Sequence, residues 1–195
     1  MKIVYFILIF ATVTLYANKN KTDYYEEGLK YLKGKEVKKD LNKGLTLLLL
    51  AKDNNNLKAY YTLGKIYLSK TTKYHDKTKA YNHFVYSANK GYAKSQNMLG
   101  KLFLFGITID KDYEKAMHYF KKASKQKYYD ANCFIAYMYA SGKGVFPNFG
   151  RAHVFAKDEY KKGNKLCMRV WRDYNLGKYP KDKSFKVGDY LKPVK

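Results

Sequence analysis

The sequence predicts an all-α chain of stacked helix pairs, on three observations. Small residues recur every 36 positions: Gly64, Gly100 and Ala136, with Gly28 one step earlier, and Gly44, Ala80, Ala116 and Ala152 in a second row. An aromatic row (Tyr31, Tyr67, Phe103, Tyr139) and a short polar row (Asp40, Asp76, Asp112, Asn148) keep the same interval. Within a period, apolar residues fall at helical spacing. Ala93, Leu99, Leu102 and Phe103 line one stripe through 92–105, and Tyr113, Ala116, Met117, Phe120 and Ala123 line another beyond Gly106. A period between about 20 and 50 residues marks an architecture in which no unit buries its apolar face alone. Function is therefore to be sought on a surface before a pocket.

The first element along the chain lies outside that stack. Met1-Lys2 is a short positive start, Ile3 to Leu15 is almost wholly apolar, Ala17 is a small residue at a cleavage point, and Lys19 and Lys21 follow. This order predicts a signal peptide at 1–17, and the apolar run is short for a bilayer span of about 20 residues. The expected location is exported, periplasmic or secreted. Leu15 is large for its place before the cut, so an uncleaved N-terminal anchor is the alternative. No cysteine follows the run, which disfavours a lipid-anchored precursor.

The repeats are expected at about 22–56, 57–91, 92–127 and 128–163, each a helix pair. The polar row suits helix N-caps, whose side-chain oxygens accept otherwise unpaired amides of the first turn. The glycine and alanine rows suit close crossings, where a larger side chain would push two backbones apart. Repeat two lacks glycines between Lys70 and His75, so its turn should differ. Residues 164–177, with Trp171 in the row of Leu63 and Leu99, read as one capping helix over the last repeat. The tail, 178–195, contains Pro180 and Pro193 and has weak periodicity.

A length of 195 residues suits one domain, and the formal charge of +23 is spread over all the repeats. Such a charge attracts anionic partners in a salt-dependent way. Lysine, asparagine and tyrosine (22 residues) are inflated together, which equally suits a biased composition with a solvated basic surface. Cys133 and Cys167 are the two cysteines. Cys167 falls in the small-residue row of Ala59, Ser95 and Ala131, whereas Cys133 lies two places further along its own helix, turned by about 200°. Different rows predict two separate packing residues and no disulfide.

Repeat four, with Ala131, Ala136, Tyr139, Gly142-Lys-Gly144-Val145, Asn148, Arg151-Ala152 and Gly163, resembles the Sel1-like repeat, a relative of the tetratricopeptide repeat. Repeat three is similar through Leu99-Gly100, Phe103, Gly106, Asp112 and Lys115-Ala116. Repeat two is similar through Ala59, Leu63-Gly64, Tyr67, Lys79-Ala80 and Gly91; repeat one keeps only Gly28, Tyr31, Gly34 and 47–51. The resemblance implies a right-handed α/α superhelical solenoid whose first helices line a concave face. It places a partner-binding groove at Lys58, Tyr61, Lys65, Lys94, Asn97, Lys101, Tyr137 and Arg169, alongside Leu68, Leu104, Asp130, Cys133 and Asp173. Tyrosine on rigid helices suits a protein or peptide partner.

No catalytic constellation is present in the sequence. His75, His83, His118 and His153 fit no metal spacing, so no metal or cofactor is expected. Ser87-Ala-Asn-Lys90 and Ser124-Lys-Gln-Lys127 spell Ser-x-x-Lys, the nucleophile motif of penicillin-recognising enzymes, but no Lys-Thr-Gly or Ser-Asp-Asn accompanies them. There is a distant similarity to the exported cysteine-rich group of Helicobacter, associated with β-lactam binding or hydrolysis, without that group's regular cysteine pairs. The expected function is a non-catalytic scaffold for another protein or peptide. The alternatives are a binder of anionic envelope polymers and a weak β-lactamase-like hydrolase; no specific nucleic acid is expected.

Overall fold

The computed structural model describes residues 23–180. The expected leader at 1–17 and residues 181–195 of the expected tail lie outside the described residues. Those described form nine α-helices, one 3-10 helix and no strand. The helices are α1 (Tyr24–Lys33), α2 (Leu41–Asp53), α3 (Leu57–Leu68), α4 (Lys77–Asn89), α5 (Ala93–Phe105), α6 (Tyr113–Lys125), α7 (Asp130–Ser141), α8 (Phe149–Lys161) and α9 (Lys165–Asp173). Two compact units divide the chain within α3, one ending at Ala59 and the other beginning at Tyr60.

Each pair is joined by the same local chemistry. Asp40, Asp76, Asp112 and Asn148 stand before the second helices α2, α4, α6 and α8, and each side chain accepts the backbone N–H three residues on, at 2.9, 2.9, 2.9 and 2.8 Å. Their own N–H groups donate to the carbonyls of Tyr31, Tyr67, Phe103 and Tyr139 at 3.0, 2.8, 3.0 and 2.9 Å. The polar and aromatic rows are therefore two ends of one hydrogen bond. A third partner closes the motif: Lys43, Lys79, Lys115 and Arg151 hold their cations 4.2, 5.8, 5.5 and 5.7 Å from those four ring centroids. Part of the surplus positive charge thus works inside the repeat.

In the first unit, α1 and α2 cross at two glycines. A Cβ on Gly28 would stand 3.2 Å from the Gly44 carbonyl oxygen, and one on Gly44 would stand 2.7 Å from the Leu32 side chain. In the second unit the two glycines within helices α3 and α5 each face a ring. A Cβ on Gly64 would meet Phe84 at 2.7 Å, and one on Gly100 would meet Phe120 at 2.6 Å. Phe120 stacks on Phe134 of α7 with centroids 4.8 Å apart, which carries the core from one pair into the next. At the C-terminal end Trp171 packs against Tyr160 and His153, each 4.7 Å away.

The turns of the helix pairs differ as their residues require. Gly34, Gly106 and Gly142 end α1, α5 and α7 in the left-handed region, at φ of 68°, 67° and 68°. Lys70 stands at that position in repeat two, where a hydroxyl takes over: Thr72 Oγ1 donates to the carbonyls of Ile66 (3.1 Å) and Ser69 (3.2 Å). The segment expected as one helix at 164–177 is broken. α9 ends at Asp173, Asn175 turns left-handed at φ 51°, and a 3-10 turn (Leu176–Lys178) drives Leu176 into the core. The Leu176 carbonyl accepts from His153 Nδ1 at 3.0 Å.

The cysteines overturn the expectation of two separate packing residues. Cys133 and Cys167 are disulfide-bonded, with Cα atoms 4.8 Å apart, and both are fully buried. A helix inside a stack presents one face to the preceding pair and another to the following one. The face of α7 turned toward α9 therefore meets a different row on α9. Membership in different rows, which had argued against the bond, is what a stack brings together.

Candidate partner-binding groove

The first helices α3, α5, α7 and α9 carry the residues expected to line a groove, and those residues divide by burial. Lys65 is exposed, with Nζ 5.8 Å from the Tyr61 centroid. Tyr61 is half-buried between Phe84 (5.9 Å) and Tyr92 (5.8 Å). Lys94 and Arg169 are exposed, whereas Lys101 and Tyr137 are half-buried. Lys58 is exposed in the first unit, its Nζ 5.9 Å from the Tyr25 centroid.

Three expected positions do not face a groove. Asn97 is only 7% exposed, Leu104 1% and Cys133 0%. Asn97 and Cys133 share a row, and in both repeats that row packs into the core; Leu104 does so about two turns further along α5. Asn97 Oδ1 is buried there without a hydrogen-bond partner.

What the structure does bring together is a groove of about 460 Å³ shared by α5, α7 and α9. Its walls are Phe105, Phe134, Tyr137, Leu166, Val170 and Tyr174, with Arg169 and Asp173 at the polar edge. Tyr137 sits centrally, 6.4 Å from the Phe105 ring and 6.2 Å from the Tyr174 ring. Phe105 is the last residue of α5 and is 44% exposed, a large apolar side chain left open beside other apolar surface.

Two lysines extend the cationic edge. Lys101 Nζ lies 5.9 Å from the Phe134 centroid and Lys143 Nζ 5.2 Å from that of Tyr137. A hydrogen bond with Tyr137 is the main cause that holds the Lys143 ammonium above its ordinary value. Burial, with the neighbouring Tyr137, pushes the Tyr174 phenol up. Both groups keep their neutral-pH protonation, so the groove has three cations against Asp173. Asp173 is itself paired with Arg172 at 3.1 Å.

Neither Ser-x-x-Lys serine is presented as a nucleophile. Ser87 is fully buried and its Oγ accepts from Ser95 Oγ at 2.9 Å; Ser124 is 6% exposed and donates to Asn132 Oδ1 at 2.6 Å. Lys127 occupies a left-handed turn at φ 61°. Among the described residues no group of His, Cys, Asp or Glu could hold a metal ion, and no helix is long and apolar enough to cross a membrane.

Sequence reasoning found Tyr137 and Arg169 but missed Phe105, Phe134 and Tyr174. A signal was present for Phe105: one period either side of it stand Ser69 and Ser141. A large ring in an otherwise small polar row points outward or into a site.

The Sel1 repeat model matches residues 24–56, 93–128 and 130–157. This is a Sel1-repeat chain. The Sel1 segments coincide with α1/α2, α5/α6 and α7/α8, while 57–92 is unmatched although α3 and α4 form there with the same Asp76 cap and Tyr67 bond. The turn of that repeat is also the one without a glycine at its helix end, where Lys70 stands. Repeat one, which retains few landmarks, does match the Sel1 model.

The fold is similar to the crystal structure of c5321, described as a protective antigen present in uropathogenic Escherichia coli strains displaying an SLR fold, at TM-score 0.72 and 22% identity. That similarity covers 86% of this chain and 36% of c5321, so the chain spans about a third of that protein. A Sel1 repeat protein from Oxalobacter formigenes is similar at TM-score 0.69 and 23% identity, over 83% of this chain and 67% of the other. No curated protein sequence matches. Sel1 repeats generally form protein-interaction scaffolds.

Proposed function

We propose that this Sel1-repeat protein is an exported, non-catalytic scaffold that binds another protein or peptide along its first helices. The observation that carries this reading is the groove of α5, α7 and α9. Aromatic side chains held on three packed helices offer contact area at little cost in conformational entropy. The burial of Ser87 and Ser124 weighs against a serine hydrolase. The buried Cys133–Cys167 disulfide supports export, since such bonds persist in oxidising compartments.

The test is capture from the native organism's envelope and culture fractions, at low and at physiological salt, on the mature chain. One protein retained at both salt levels, and lost when Tyr61 and Tyr137 are both changed to alanine, is the expected outcome. Broad retention that vanishes at physiological salt would replace this reading with polyanion binding, which the +23 charge favours. Mass spectrometry of the secreted or periplasmic form tests export through its N-terminus. An intact Met1 in the membrane fraction would favour an anchored protein.

A further inference from the structure

We infer that the groove of α5, α7 and α9 takes an acidic peptide that inserts one aromatic or branched aliphatic side chain. This deepens the proposed scaffold function and rests on it. The apolar part of the argument is the open Phe105 ring beside Tyr137 and Tyr174, around a space of about 460 Å³. That size accommodates an inserted side chain with its flanking backbone, and apolar walls with few polar groups are what such sites use.

The charge part names the occupant. Arg169 lines the groove, and Lys101 and Lys143 sit over two of its rings, so cations border the apolar walls on α5, α9 and the turn after α7. Asp173 is the one carboxylate in the lining, and Arg172 already engages it. A carboxylate next to the inserted side chain would meet Arg169, which can bind it through two parallel hydrogen bonds. Occupants from the same chain have the wrong sign. A second copy brings a charge of +23, and residues 181–195 contain five lysines against two aspartates. Like charges brought together at an interface are costly, whereas an acidic partner is attracted.

The probe is a random dodecapeptide library displayed on phage, selected on the mature protein at physiological salt, with selected peptides measured by fluorescence polarisation. Enriched peptides should share one aromatic or branched aliphatic residue flanked by at least two carboxylates. Their affinity should fall about tenfold with Arg169→Glu and about tenfold with Phe105→Ser, a range usual for a central anchor. Both residues are exposed, and circular dichroism would verify that the variants keep their helices.

No enrichment would overturn both this inference and the scaffold function. Enriched peptides that ignore both substitutions but depend on Tyr61, Lys65 or Lys94 would overturn the inference and leave the scaffold function standing. Acidic peptides with no apolar anchor would reduce the groove to plain polyanion attraction. Self-association that disappears in Phe105→Ser would assign the groove to a second copy. Binding gained only when the chain is cut after Pro180 would assign it to the tail.

Discussion

At the crossing of α5 and α6, Gly100 lies under the ring of Phe120. One period on, in α7 and α8, alanines occupy both positions, Ala136 and Ala156, and both are fully buried. The turns after α5 and α7 contrast in the same way. Gly144 supplies a left-handed residue at φ 70° in repeat four, while repeat three forces Thr108 to φ 77° and leaves its hydroxyl buried and unpaired. Repeat three closes at Lys127 (φ 61°) and repeat four at Gly163 (φ 79°). Cys133 of repeat four is bonded to Cys167, whereas its equivalent in repeat three is Asn97, with an unpartnered oxygen. Two neighbouring repeats thus reach one backbone geometry by different side chains, and repeat three carries more strain. The geometry depends on the summed volume at each crossing and on the turn dihedrals, and individual identities can trade within those limits.

The largest effect expected from breaking this contrast comes from the bond that only repeat four has. Replacing Cys133 and Cys167 together by alanine should cost about 4 kcal/mol, for a closed loop of this length. Denaturant melts of the two proteins would measure it, and hydrogen exchange should show α9 opening first. Next, Gly100→Ala forces a methyl into Phe120 and should cost about 2 kcal/mol by overpacking. Ala136→Gly at the equivalent position should cost only about 1 kcal/mol, through helix propensity.

Transplanting the bond sharpens the comparison. Asn97 and Ala131 are 34 residues apart, the same separation as Cys133 and Cys167. Converting both to cysteine should form a second disulfide, raising stability by about 1–2 kcal/mol, less than a native bond because engineered ones rarely fit perfectly. A free-thiol count of zero after oxidative refolding would verify the bond. Two free thiols would show that the two repeats stack with different offsets. Thr108→Gly should stabilise by about 1 kcal/mol, as relief of a β-branched residue in the left-handed region outweighs the entropy glycine adds to the unfolded chain.

The smallest effect is one of pH. Asp76 and Asp112 are held below the ordinary carboxylate value, chiefly by the N–H groups of Lys79 and Lys115. A depressed folded value means that their contribution is present above the unfolded value and is lost as pH falls through the folded one. Asp112→Asn should therefore flatten the loss of stability below about pH 4 and change little at neutrality. Asn148 already caps α8 with an uncharged side chain at 2.8 Å. Melts from pH 2 to 7 on both proteins would check this.

The helices, caps and crossings were legible because each depends on residues close in sequence, and repetition displayed each requirement four times. A short polar residue must stand before each second helix to receive an unpaired N–H, and Asp40, Asp76, Asp112 and Asn148 do so. The groove was only half legible. Tyr137 and Arg169 are reachable from their places on the first helices, but Asn97, whose place there equally predicts a groove residue, is buried. Phe105 and Tyr174 were passed over because they stand outside the rows used to define the face. The disulfide was misread for a related reason, in that like rows were expected to meet.

By itself the sequence determined the period, the helix pairs, the N-caps, the small residues at each crossing and the different turn of repeat two. All of these follow from backbone hydrogen bonding and sterics within a few residues. Only the tertiary structure decided which rows touch across successive pairs: Cys133 with Cys167, Phe120 with Phe134, and Phe105 with Tyr137. A periodic row states what size of side chain a position tolerates, but the row it meets depends on the offset and crossing angle between helices. Those are set by all the packed side chains at once, and no single row contains them.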